Sequence, residues 1–117
     1  MTLEECYARM GGGNYIDVKQ RLRSEKLIDK FVRKFLDDPS FAQYEDALRA
    51  KDDRAAFMAL HTLKGVSQNL GMESLYEAVT EDCELFRGGW SDKAAANAGT
   101  LRAIYDTTCQ AIREYIR

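Results

Sequence analysis

Residues that break regular structure are rare in this chain and occur in few places. Its 117 residues include one proline, Pro39, and eight glycines, several of them clustered at 11–13 and 88–89. Proline removes a backbone donor and glycine is costly to order, so both residues tend to end helices. Long stretches without them favour helices over short strands and turns. We therefore expect helices along most of the chain.

The spacing of apolar residues places helices between these breaks. Segment 14–23 fits either a turn or a short amphipathic helix, and the glycines at 11–13 end the helix before it. Short connections between helices favour antiparallel neighbours, which predicts a helical bundle. The other predicted helices are 2–10, 24–37, 39–50, 53–70, 72–87 and 91–116.

Apolar stripes and capping residues support these boundaries. Ser24, Asp52 or Asp53, and Ser91 are suited to cap helix N-termini, because their side chains can accept a bond from a free backbone N–H. The stripe of segment 24–37 consists of Leu27, Ile28, Phe31, Val32 and Phe35.

The overall composition narrows the function. Hydrophobic residues make up 45% of the chain and charged residues 31%, which suits one domain spanning 1–117. A net charge of −2 lacks the basic excess of nucleic-acid binders. No apolar run could cross a membrane and the N-terminus has no apolar signal core, so we expect a cytoplasmic protein without membrane contact, and a monomer. Cys6, Cys83 and Cys109 are too dispersed for a metal site and are expected to be buried or half-buried thiols.

Segment 53–70 combines a core face with a reactive residue on its other side. His61, the only histidine of the chain, lies roughly 150° from the centre of the apolar stripe on a helical wheel, so it should face solvent. A lone surface histidine is often without function. Whether His61 has one must therefore be judged from the residues around it. The stripe itself consists of Ala56, Leu60, Leu63, Ser67 and Leu70.

Two features near His61 break local rules. Gly65 lies inside the helix, where it costs about 1 kcal/mol relative to alanine, yet the wheel places it away from the core. Met58 and Phe57 are expected to face water, where they could form a docking rim. Lys64 would place a cation beside an anion bound at His61. The face of His61 is shared by Arg54, Phe57, Met58, Lys64, Gly65 and Gln68.

The motif HTLKG at 61–65, followed by NLG at 69–71, resembles the signature of histidine-containing phosphotransfer (HPt) domains. An alanine-rich lead-in at 55–59, the ALRAKD turn at 47–52, and Leu75 and Glu84 in the next helix extend the resemblance over about residues 24–90. The resemblance implies an all-α fold: an antiparallel four-helix bundle over 14–117, with an additional short N-terminal helix and Gly-rich stop over 1–13.

The resemblance also implies roles for these residues. His61 would accept the phosphoryl group, Lys64 would hold its oxygens, and Gly65 would admit a receiver domain. A further polar contact is expected at Gln68, where the family varies. Val66 stands where the family often has a smaller residue, although the wheel turns it toward the flank of the core.

The same resemblance predicts a phosphocarrier whose catalysis is shared with its partner. The receiver domain would bring an aspartyl phosphate, Mg²⁺ and its own lysine, and a hybrid sensor kinase is a further candidate partner. We expect this chain to bind no cofactor or metal itself. It has no P-loop, kinase Gly-rich loop or Asp-Phe-Gly motif, so ATP-dependent kinase activity is not expected.

Two alternatives remain open at this point. The chain could be an interaction module of the same fold that binds a partner through Met58 and Phe57 without phosphotransfer. It could also be a metallo-bundle enzyme, although such bundles use Glu-x-x-His pairs and Met58 stands where the Glu would be.

Overall fold

The computed structural model describes residues 1–117 and consists of helices without strands. The predicted antiparallel bundle is confirmed: α4 packs on α5, α5 on α6, and α6 on α8, while α3 also contacts α8. No helix is long and apolar enough to span a bilayer. The helices are α1 (Leu3–Arg9), α2 (Tyr15–Leu22), α3 (Glu25–Phe35), α4 (Ser40–Arg49), α5 (Asp53–Asn69), α6 (Glu73–Leu85), α7 (Asp92–Ala96) and α8 (Ala98–Ile116).

The predicted capping residues begin three of these helices. Ser24, Asp52 and Ser91 each accept a hydrogen bond from the backbone N–H three residues later, at 3.3, 3.0 and 3.1 Å. Segment 14–23, for which the sequence left a turn or a helix open, forms α2. Its N-cap is Asn14, whose side chain accepts from the backbone of Asp17.

The N-terminal segment packs against the end of α5. The Tyr7 hydroxyl donates to the carbonyl oxygen of Leu70 at 2.6 Å, and the Asn14 N–H donates to the carbonyl oxygen of Gly71 at 2.7 Å. Gly71 has a φ of +66°, and a Cβ there would lie 2.7 Å from the carbonyl oxygen of Asn14. These contacts fix the point at which α5 ends.

The predicted final helix, 91–116, is interrupted at Asn97. This residue ends α7 and begins α8, and its side-chain amide donates to Asp82 of α6 at 3.1 Å. Because Asp82 is 3% exposed and lies in another helix, the bond ties the break to the core of the bundle. The apolar periodicity of segment 91–116 contains no information about a partner in α6.

The apolar stripe of α3 is covered only in part. Ile28, Val32 and Phe35 are buried, whereas Leu27 and Phe31 remain 41% and 37% exposed. The bundle covers one side of this stripe and leaves the other at the surface. The three cysteines are free and buried, as the sequence predicted.

Candidate functional site

Helix α5 presents a buried face and an exposed face along its whole length. Its five stripe residues are at most 5% exposed, while His61 on the opposite face is exposed. Asp52 caps the N-terminus of the helix, and Gly71 and the N-terminal segment fix its other end. Because α4 and α6 pack on its two sides, α5 holds His61 on a rigid element.

Open space surrounds Gly65, one helical turn beyond His61. A Cβ built on Gly65 would meet no atom within 4 Å outside the local helix backbone. Close packing, the usual reason for a glycine inside a helix, therefore does not apply here. Gly65 costs the helix about 1 kcal/mol relative to alanine, and no packing contact accounts for that cost.

Lys64 supplies a cation that no carboxylate of the chain neutralises by direct contact. It is half-buried and takes part in none of the ion pairs in the structure. Its charge acts on two groups of α6, the Cys83 thiol and the Glu84 carboxylate. Burial raises the pKa of the Cys83 thiol, and the charge of Lys64 acts against that rise. An unpaired ammonium next to an exposed imidazole can attract an anionic group.

Phe57 is not the water-facing residue that the sequence predicted. It is half-buried and packs against the core, and its carbonyl oxygen lies 3.8 Å from the thiol of Cys83. Its ring stacks on the imidazole of His61, with centroids 5.9 Å apart and planes inclined by 13°. The wheel missed this because α6, which a single-helix projection omits, covers that edge of α5.

Arg87 also contacts Phe57, and no motif of the sequence indicated this residue. Its guanidinium lies over the Phe57 ring at 5.5 Å. The same guanidinium binds both carboxylate oxygens of Glu84, at 2.7 to 3.2 Å. Arg87, with a smaller contribution from Lys64, lowers the pKa of Glu84. Glu84 and Arg87, at the C-terminal end of α6, therefore border the site next to Phe57.

The remaining predicted residues lie on the exposed face of α5. Met58 is 55% exposed, an unusual position for a large apolar side chain. Arg54 and Gln68 are exposed as well, and Arg54 forms no ion pair. Val66 is half-buried against the core, on the flank where the wheel placed it.

An apolar groove that the sequence did not reveal flanks this face. It has a volume of about 650 Å³ and lies between α5 and the pair α2 and α3. Phe31, one of the two exposed stripe residues of α3, lines this groove together with Val66 of α5. The sequence contains one sign of this groove. The apolar stripe of segment 24–37 has more residues than the rest of the bundle buries. The apolar lining consists of Leu22, Phe31, Phe35, Val66 and Leu70.

Comparison with known proteins identifies the family. The profile of the Hpt domain family matches residues 27–114, which include α4 to α7 complete and nearly all of α3 and α8. The match extends beyond the 24–90 region that carries the visible motifs. Neither a curated protein nor a solved structure gives a significant match to the chain. Since the family profile covers most of the chain, this helical bundle belongs to the Hpt domain family, and it is a phosphotransfer module of two-component signalling.

Proposed function

We propose that this Hpt domain accepts a phosphoryl group on His61 from the aspartyl phosphate of one receiver domain and transfers it to the aspartate of another. The observation that carries the proposal is the exposed imidazole between an unpaired ammonium, that of Lys64, and the empty space at Gly65. Receiver domains are the partners with which this family interacts. The cytoplasmic location expected from the sequence belongs to the same proposal.

The chemical step needs a neutral imidazole. Only the neutral ring keeps a nitrogen lone pair that can attack an electrophile. The lone pair of one ring nitrogen attacks phosphorus, an N–P bond forms, and the P–O bond to the receiver carboxylate breaks. The phosphorylated ring is then cationic, and its other nitrogen releases a proton to water to restore neutrality. The reverse sequence returns the group to an aspartate, so the same geometry serves both directions.

Charge and position supply the catalysis. The transition state of phosphoryl transfer is loose, so that orientation and charge neutralisation matter more than covalent assistance. Lys64 would stabilise the phosphoryl oxygens from this chain, and Gln68 could donate to them from one turn further along α5. The receiver would contribute Mg²⁺ and a lysine. Gly65 would leave room for the receiver to approach the imidazole edge.

The docking surface we propose includes more than the residues next to His61. Met58 provides exposed apolar area on α5, and Arg54 adds a positive charge at the start of the helix. We include in this surface the groove between α5 and the pair α2 and α3, where Phe31 is partly exposed. Phe57 contributes its exposed edge. Apolar groups of a receiver domain can be buried on this surface while its phosphorylated aspartate faces His61.

Phosphotransfer to His61→Gln tests the proposal. A receiver domain is charged with a small phosphodonor, mixed with wild type or variant, and the acid-labile label on this chain is followed. Wild type should become labelled and His61→Gln should not. Equal labelling of the two proteins would show that the acceptor is another residue.

The interaction module without phosphotransfer is separated by the same assay together with a binding measurement. A pure binding module would hold a receiver domain by calorimetry and take up no label. The intact arrangement of His61, Lys64 and Gly65 favours the carrier, because binding alone requires neither the nucleophile nor the cation.

A further inference from the structure

Phe57 and His61 form an aromatic pair on the surface of α5. They are four residues apart, so one lies a helical turn above the other. Their rings are nearly parallel, at 13°, with centroids 5.9 Å apart. An exposed histidine otherwise rotates about two side-chain bonds. The stack favours those rotamers in which the imidazole lies alongside Phe57.

Contacts from α6 hold Phe57 itself in place. Its carbonyl oxygen faces the thiol of Cys83, and its ring packs partly against the core. Arg87 lies over the ring at 5.5 Å, and Glu84 holds that guanidinium through both carboxylate oxygens. Arg87 is therefore already neutralised by a carboxylate, unlike Lys64. Arg87 contacts the site by lying over the ring of Phe57.

We infer that Phe57 is a positioning residue, which fixes the plane of the His61 ring so that a nitrogen edge points toward the incoming phosphorus, and that Arg87 acts on His61 through it. The inference rests on the proposed phosphotransfer at His61. It assigns Phe57 a role distinct from the docking contact that its surface position suggests. An aromatic pair is worth about 0.5–1.5 kcal/mol, so losing the ring should slow transfer roughly 2- to 12-fold.

Two matched variants separate positioning from packing. Phe57→Leu keeps an apolar side chain against the core and removes the ring, whereas Phe57→Tyr keeps the ring. Because the chain has one histidine, the NMR signals of a labelled imidazole belong to His61 without ambiguity. Side-chain coupling constants should report one dominant rotamer in wild type and Phe57→Tyr, and averaging over rotamers in Phe57→Leu.

Transfer rates from a charged receiver domain and from phosphoramidate complete the test. Phe57→Leu should be slower with both donors, and Phe57→Tyr should behave as wild type. Arg87→Gln should show a smaller loss than Phe57→Leu, while Arg113→Gln on α8 serves as the matched control without effect. A loss with the receiver alone, with the rotamer unchanged, would leave Phe57 with its docking contact only and overturn the inference.

Failure of the inference can be distinguished from failure of the proposed function. Rotamer averaging already present in wild type, or rates unchanged in Phe57→Leu despite averaging, would overturn the positioning role and leave phosphotransfer intact. Absence of label on wild-type His61 would overturn the proposed function itself.

Discussion

Replacement of Gly65 by alanine should make the protein more stable and a poorer phosphoryl carrier at the same time. Alanine is favoured over glycine inside a helix by about 1 kcal/mol, largely because the unfolded glycine backbone has more freedom to lose. A Cβ at position 65 meets no atom within 4 Å, so no steric cost offsets this gain. The free energy of unfolding should therefore rise by about 1 kcal/mol.

The corresponding change in melting temperature is measurable. An unfolding entropy of about 2.1 cal/mol/K per residue gives roughly 0.25 kcal/mol/K for this chain, so 1 kcal/mol raises Tm by about 4 °C. Calorimetry and urea unfolding both resolve such a shift. Gly99→Ala is the matched control, because Gly99 is also helical, exposed and free of neighbours within 4 Å. Near the start of α8 its gain should be smaller, and phosphotransfer should be unchanged.

The activity of a Gly65 series should fall as the side chain grows. Alanine narrows the gap beside His61 slightly, glutamine more, and arginine fills it. A displacement of about 1 Å between reacting groups can cost on the order of 100-fold in rate, and Gly65→Arg should lose at least that much. Its helical content should stay near that of wild type.

Two results would refute this reasoning. If Gly65→Ala lowers Tm, the fold of the free protein needs the glycine, and the space around position 65 is not free for a side chain. If Gly65→Arg accepts label from a receiver domain as fast as wild type, the gap is not where the partner approaches.

Three further predictions concern other parts of the molecule. Lys64→Gln should slow labelling of His61 about tenfold, equivalent to ~1.4 kcal/mol in the barrier, with Tm unchanged. Phe31→Asp should weaken receiver binding in calorimetry about tenfold and leave the fold intact, since the side chain is 37% exposed. Burial raises the pKa of Asp82 above its ordinary value of 3.8, so the folded state binds the proton more tightly. The free energy of unfolding should therefore fall as pH rises from about 4 through the folded pKa, and Asp82→Asn should flatten that fall in urea titrations.

Features that depend on one helix could be predicted from the sequence. The buried stripe of α5, the caps at Ser24 and Asp52, and the exposure of His61 follow from periodicity and from local hydrogen bonding. Each of these is decided within a few turns of helix, where wheel geometry applies directly. The position of Gly65 on the outer face also belongs here.

Features that depend on contacts between two helices could not be predicted from the sequence. The break at Asn97 requires Asp82, which lies 15 residues earlier in α6. Phe57 is half-buried because α6 lies against that edge of α5, and the stripe of α3 is wider than the surface that covers it. In each case the feature depends on a contact with another helix. The periodicity of one helix does not predict where that other helix lies.

The division of α5 into two faces implies that stability and phosphotransfer can be altered separately. Substitutions on the buried face, such as Leu60→Ala, remove fully buried area and should cost about 2–5 kcal/mol in the free energy of unfolding. Substitution of Gly65 removes no packing, and Lys64→Gln keeps most of the aliphatic stem of a half-buried side chain, so both should alter the rate at nearly constant or higher stability. A core and a site built from the same residues would instead lose both properties together. If neighbouring positions of one helix separate the two effects in this way, the proposed complex with a receiver domain accounts for both the glycine and the unpaired lysine.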